Sequence, residues 1–325
     1  ISVALVREQA LRKETKLAHE ATKQEAAKTK VVSQFLQDMF ASVDPVQAQG
    51  RKVTVDEILG EASKRLESPE NPFAKQPLVD AAIRATLGAT YYGLGEYLNA
   101  EPYLERAFSL RREILGEKNP ETLSSMNALG LLYWAQGRFE ESESLLLQAW
   151  ELSQDLLGDD HLETLAIASN LGMLYDSRSE LKTAESFYQN VLDSRRRLLG
   201  PEHPDTLSSM LDLSFLYHNL GMYQEGERLA RESFVKRQRI FGDLHPDTLT
   251  SMHTLALLLW DQQKYDESEP LMVEVIKRRK QVLGEEHQST LLSVNKLALL
   301  NYDRAQNLQP ELLITQTLQK QIRKH

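Results

Sequence analysis

The 325-residue chain is 41% apolar and 26% charged, a composition able to build packed cores, and its net charge of −9 disfavours non-specific nucleic-acid binding. It contains no cysteine, which excludes disulfides, thiolate chemistry and cysteine-held metals. No run approaches the ~18 apolar residues of a membrane span, and the residues after Ile1 do not read as a signal peptide, so the chain reads as a piece of a longer protein.

Residues 1–76 form a helical lead-in. Arg7 to Lys30 is rich in Ala, Glu, Lys and Gln and free of Gly and Pro, which favours a solvated helix. Its small, irregularly spaced apolar positions suit a single frayed helix better than a coiled coil. Val31, Val32, Phe35, Leu36 and Met39 then make one apolar helical face, ended by Asp44-Pro45. After a loop with Gly50, Thr54 and Glu57 have the spacing of a capping box. The helix they open places Val55, Ile58, Leu59, Ala62 and Leu66 on one side, and Pro69, Pro72 and Pro77 mark a break before the next region.

From residue 77 the chain is periodic. Gly116, Gly158, Gly200, Gly242 and Gly284 lie 42 residues apart, each leading into a copy of Leu199-Gly200-Pro201-Glu202-His203-Pro204-Asp205-Thr206-Leu207. A period of this size marks a stacked repeat array rather than one core. Six units are expected, near 77–118, 119–160, 161–202, 203–244, 245–286 and 287–325, each with a helix A and a helix B. Pro120, Pro204 and Pro246 sit at helix starts, where a missing N–H is harmless. Glu121, Glu163, Asp205 and Asp247 put negative charge on first turns, and Arg111-Arg112, Arg195 to Arg197, Arg237, Arg239 and Lys277 to Lys280 put positive charge near helix ends. In the second unit, helix A is predicted over about 120–136 and helix B over about 139–157. The first and sixth units depart from the pattern and read as caps.

Helix A also repeats a large–small pair: Leu87-Gly88, Leu129-Gly130, Leu171-Gly172, Leu213-Ser214, Leu255-Ala256 and Leu297-Ala298. Tyr91, Tyr133, Tyr175 and Tyr217 follow, and Tyr97, Phe139, Tyr223 and Tyr265 open helix B. This pattern resembles the tetratricopeptide repeat, whose usual period is about 34. The longer form, with Leu-Gly-x-x-His-Pro-Asp-Thr-Leu at the joint, is similar to the repeats of kinesin light chains. The resemblance implies an all-α, right-handed superhelical solenoid of helix-turn-helix repeats, with no cofactor. In the lead-in, Phe35 to Pro45 and Val53 to Leu59 resemble the segment that joins a transmembrane helix to a repeat array in bacterial, planctomycete-type membrane serine/threonine kinases. That resemblance implies an anchor upstream of Ile1 and an extracytoplasmic position, with a cytoplasmic one as the alternative. The chain itself has no Gly-rich phosphate loop, no Val-Ala-Ile-Lys, no His-Arg-Asp and no Asp-Phe-Gly, so it is expected not to be an enzyme.

His161, His203, His245 and His287 recur every 42 residues, too far apart along stacked helices to meet within the ~2 Å a zinc ion requires. They read as joint residues that hydrogen-bond a neighbouring helix end, and no metal site is expected. Nor is there a nucleophile elbow or a catalytic carboxylate pair.

Taking the Leu–small pair as the register, the resemblance assigns a concave peptide groove to helices A. It comprises Tyr92, Asn127, Leu131, Trp134, Ser169, Met173, Leu211, Phe215, His218, His253, Leu257, Trp260, Asn295 and Tyr302. Aromatic residues there suit burial of apolar peptide side chains, and Asn127 and Asn295 could hold a peptide backbone. For Trp134 and Trp260 the competing reading is packing between repeats. No Lys/Asn clamp for a chain end is evident, so the expected partner is a protein or peptide with bulky apolar residues, bound through an internal, extended segment. The functional expectation is a non-enzymatic protein-interaction scaffold, read more narrowly as the sensory or docking region of a membrane kinase. The alternatives are a kinesin-light-chain-like cargo adaptor and a scaffold that self-associates, with the lead-in helix as a homodimer contact.

Overall fold

The computed structural model describes residues 16, 23, 26–39, 54–68, 70–302 and 304. The expectations for Arg7 to Glu25, for Asp44-Pro45 and for Gly50 therefore lie outside the described residues, apart from the isolated positions 16 and 23. Among the described residues every regular element is an α-helix. The first, α1, covers residues 26–39. It is followed by α2 (Val55–Glu67), α3 (Pro77–Gly93), α4 (Tyr97–Leu115), α5 (Pro120–Ala135), α6 (Phe139–Leu157), α7 (Leu162–Ser177), α8 (Leu181–Leu199), α9 (Pro204–Asn219), α10 (Tyr223–Phe241), α11 (Pro246–Asp261) and α12 (Tyr265–Leu283). The last, α13, spans 288–302.

Each helix A begins at the joint motif, and the histidines there act within their own helix. The Nδ1 atoms of His161, His203, His245 and His287 accept the backbone N–H of Glu163, Asp205, Asp247 and Ser289 at 3.1–3.2 Å. Asn119 does the same for Glu121 through its side-chain oxygen at 2.9 Å. The histidines, unlike Asn119, are expected from sequence to bond a neighbouring helix end. Each instead serves as N-cap, supplying an acceptor for a first-turn N–H that has no helical partner. At the other end of each helix B, Gly116, Gly158, Gly200, Gly242 and Gly284 have φ between 80° and 93° with ψ near 170°. That region is open essentially to glycine alone.

Within each pair the small residue of helix A seats a large residue of helix B. A Cβ added to Gly130 would lie 2.7 Å from Leu146, and one added to Gly172 would lie 2.8 Å from Tyr188. A hydroxyl also ties the crossing in three of the pairs: Ser142 donates to the Gly130 carbonyl, Ser214 to the Gly226 carbonyl and Ser268 to the Ala256 carbonyl.

The chain forms two compact units, Ile1–Asp159 and Asp160–His325. In the first, α3 to α6 pack in succession, and the lead-in joins their core. Phe35 and Met39 of α1 are buried with Leu59 and Leu66 of α2 and Ile83 and Leu87 of α3. Thr54 and Glu57 make both bonds of the capping box at 3.3 Å. Lys28 of α1 pairs with Glu121 at the start of α5 at 2.8 Å. In the second unit α7 to α12 pack in succession, with additional contacts of α9 to α7 and to α11.

Candidate peptide-binding face

Four of the helices A are tied to the preceding helix B by a guanidinium. Arg195 of α8 donates to the Ser209 hydroxyl at 2.7 Å and to the Asp205 carbonyl of α9. Arg237 of α10 donates to Ser251 and to the Asp247 carbonyl of α11, and also reaches Ser208. Arg279 of α12 bonds Ser293 and the Ser289 carbonyl of α13. Arg111 makes the same pair of bonds to Ser125 and the Glu121 carbonyl in the first unit. At the remaining position of the period stands Ser153, whose hydroxyl donates to Trp150 in its own helix. The sequence reading gave these arginines a role with the helix dipole. The structure buries Arg237 and Arg279 and makes them ties from a helix B to the following helix A.

In the first unit Tyr92, Asn127, Leu131 and Trp134 are all half-buried. Tyr92 lies 5.6 Å from the Tyr97 ring, and burial pushes its hydroxyl pKa up. In the second unit the residues separate into two groups. Phe215 (46% exposed) and Tyr302 (64% exposed) project into solvent, Asn295 is exposed, and Ser169, Met173 and His218 are half-buried. Leu211, His253, Leu257 and Trp260 are buried. Trp260 is 4% exposed, sits 4.8 Å from the Tyr265 ring and packs with Leu257, Met272 and Leu300. Tyr265, Met272 and Leu300 pack around the indole. His253 lies 3.5 Å from the Ser293 hydroxyl, and burial, helped by Arg279 and Lys296, pulls its pKa down to about 4.

Two polar pairs that the sequence reading missed link successive helices A. The His218 Nε2 and Asp261 carboxylate lie 2.6 Å apart, from α9 to α11. The side-chain amide of Asn219 donates to Asp176 on α7 at 3.0 Å. Both pairs are 43 residues apart, a signal present in the sequence as complementary residues at one period plus one. The hydrogen bond to Asp261 raises the His218 pKa, against burial and the charge of Lys296. Nearby Asp212 of α9 is pushed up to about 6 by burial, although Arg195 and Arg237 pull the other way. The face of the second unit thus combines exposed aromatic and amide groups with polar pairs fixed between its helices. No helix among the described residues is long and apolar enough to cross a membrane.

Helix pairs of constant period, tied by recurring buried contacts and presenting one helix of each pair as a variable face, define an all-α repeat protein of the protein-interaction type. Tetratricopeptide repeat models match residues 80–154, 131–193, 177–234 and 248–289, and the chain belongs to the tetratricopeptide repeat family. No curated protein matches it in sequence. Among solved structures it is similar to the nearly identical TPR-like repeats of a Podosopora anserina protein assigned to the kinesin light chains. That match has a TM-score of 0.54 and 24% identity, and covers 64% of this chain and 98% of the other. BtubC (BKLC) from P. vanneervenii matches with a TM-score of 0.59 at 17% identity, over 73% of this chain and 95% of that one. A Rap protein complexed with competence and sporulation factor matches with a TM-score of 0.57 at 12% identity, over 87% of each chain. At these identities the likeness is one of fold. The fold is that of protein-interaction scaffolds.

Proposed function

We propose that the chain binds an extended peptide segment with bulky apolar residues across the helix-A face of its second unit, between α9 and α13. The observation that carries this reading is the exposure of Phe215 and Tyr302 at the register where the repeat presents ligand-facing side chains. Large aromatic side chains left in solvent on one face are uncommon without an interface to cover them. Asn295 adds an exposed amide able to pair with a peptide backbone. The complex of a Rap protein of the same fold supports a ligand-binding use of such arrays in general terms. Random extended peptides displayed against the whole chain test this reading. It expects enrichment of segments with Trp, Phe or Leu, competing with one another for one site. Failure to enrich any apolar segment would count against it.

A narrower reading, carried by the sequence resemblance of Phe35 to Pro45 and of Val53 to Leu59 in the lead-in, makes the array the sensory or docking part of a bacterial membrane serine/threonine kinase. The sequence upstream of Ile1 tests it: an apolar stretch of about 20 residues preceded by kinase motifs would support the reading. A coiled coil there would favour the kinesin-light-chain-like adaptor.

A further inference from the structure

The first unit contains a cavity of about 570 Å³ set among α4, α5 and α6, lined by Glu105, Phe108, Leu129, Tyr133, Glu140, Glu141, Ser144 and Leu145. Leu129 and Tyr133 lie on α5, a helix A, but no lining residue belongs to the set assigned to the peptide groove. Its floor is apolar and aromatic, and its rim is acidic. The Tyr133 hydroxyl donates to Glu105 at 3.1 Å, and burial together with Glu105 pushes the Tyr133 pKa up to about 12. Arg138 lies with its guanidinium carbon 4.0 Å from the centre of the Tyr133 ring while pairing with Glu101 and Glu141. Arg112 lies 5.1 Å from the centre of the Phe108 ring. Both rings thus already stack guanidinium groups of the chain itself. Those two arginines do not balance the rim: Glu105 and Glu140 pair with no cation among the described residues.

The repeat does not dictate this arrangement. One period on, Glu105, Glu140 and Glu141 become Leu147, Lys182 and Thr183. Their coincidence around a cavity is particular to α4 to α6.

We infer that this cavity receives an arginine side chain of a protein partner, its aliphatic stem against Phe108, Leu129 and Leu145 and its guanidinium between Glu105 and Glu140. Charge complementarity selects a cation, since the rim carries uncompensated carboxylates over an apolar floor. The two carboxylates select the guanidinium over an ammonium, because its planar fork can bond both at once.

The test uses the whole 325-residue chain and N-acetyl-arginine N-methylamide, followed through the Tyr133 ring resonances. The citrulline analogue, which has the same shape without the charge, and the lysine analogue serve as comparisons. The arginine probe should perturb Tyr133 and bind at least roughly tenfold more tightly than citrulline, a difference typical of a charge-assisted pair. Lysine should be weaker than arginine. The double variant Glu105→Gln/Glu140→Gln should bring arginine down to the citrulline level, with helicity unchanged because both side chains are exposed. Equal binding of arginine and citrulline, tighter binding of lysine, or a double variant that binds arginine unchanged would each overturn the inference.

Discussion

The Arg237 guanidinium donates to the Ser251 hydroxyl at 3.1 Å, joining α10 to α11 from a position 14 residues earlier in the chain. The same separation links Arg111 to Ser125, Arg195 to Ser209 and Arg279 to Ser293. Four joints carry this tie, which holds a helix A at a fixed depth against the preceding helix B. Arg237 also serves the Asp247 carbonyl and Ser208, so one fork satisfies three acceptors. Its loss removes these three bonds from a buried site and opens a void. Arg237→Ala should lower stability by about 2–4 kcal/mol, read as a shift in the urea midpoint. Arg237→Lys should recover little of it, because an ammonium cannot reproduce the planar fork. Full rescue by lysine would show that charge alone matters there.

A second expectation concerns Gly130. Alanine is the better helix former, and in an exposed helix the change would stabilise by ~1 kcal/mol. Here the new methyl would meet Leu146, fully buried, at 2.7 Å. Overpacking should prevail, and Gly130→Ala should destabilise by about 1–3 kcal/mol. Thermal unfolding of Gly130→Ala beside the double variant Gly130→Ala/Leu146→Ala checks the cause. If the clash is responsible, the alanine penalty at residue 130 should largely vanish in the Leu146→Ala background.

Asp212 gives a pH dependence with a definite sign. Its pKa is raised from the ordinary carboxylate range to about 6, burial being the main cause. A group with a raised folded pKa favours the fold most when protonated. That contribution is complete below about pH 4 and is lost as pH climbs through about 6. Asp212→Asn should therefore raise the melting temperature most near pH 8, by the equivalent of about 3 kcal/mol at most, with the gain shrinking towards pH 4. His218, raised by Asp261, also loses its contribution as pH rises above its unfolded value of about 6.5. His253, lowered to about 4, works in the opposite sense, favouring the fold above about pH 6.5 and withdrawing that support as pH falls towards 4. Melting curves of Asp212→Asn across this range would refute the assignment if the gain were largest in acid.

Much of the architecture is legible in the residues themselves. The 42-residue step locates every joint, and Pro120 and Phe139 mark the first residues of α5 and α6. The large–small pairs announce the close crossings that Gly130 and Gly172 make. Face residues are harder, because register tells which way a position points but not what covers it. Trp134 and Trp260 hold the same place in the repeat, yet Trp134 is half-buried and Trp260 is enclosed by Tyr265, Met272 and Leu300. The arginine tie was hidden for another reason. A cation near a helix end already has an explanation in the dipole, and only its pairing with a serine 14 residues on reveals the second role.

The central claim, that the second unit binds an apolar extended segment on its helix-A face, is tested most directly by calorimetric titration of one selected peptide against paired variants. Phe215→Ala removes an exposed side chain on that face, and Val235→Ala removes one on α10, a helix B. The account predicts a loss of roughly tenfold or more in affinity for Phe215→Ala and little change for Val235→Ala, both proteins remaining folded. Unchanged binding to a folded Phe215→Ala chain, or an equal loss in Val235→Ala, would contradict it.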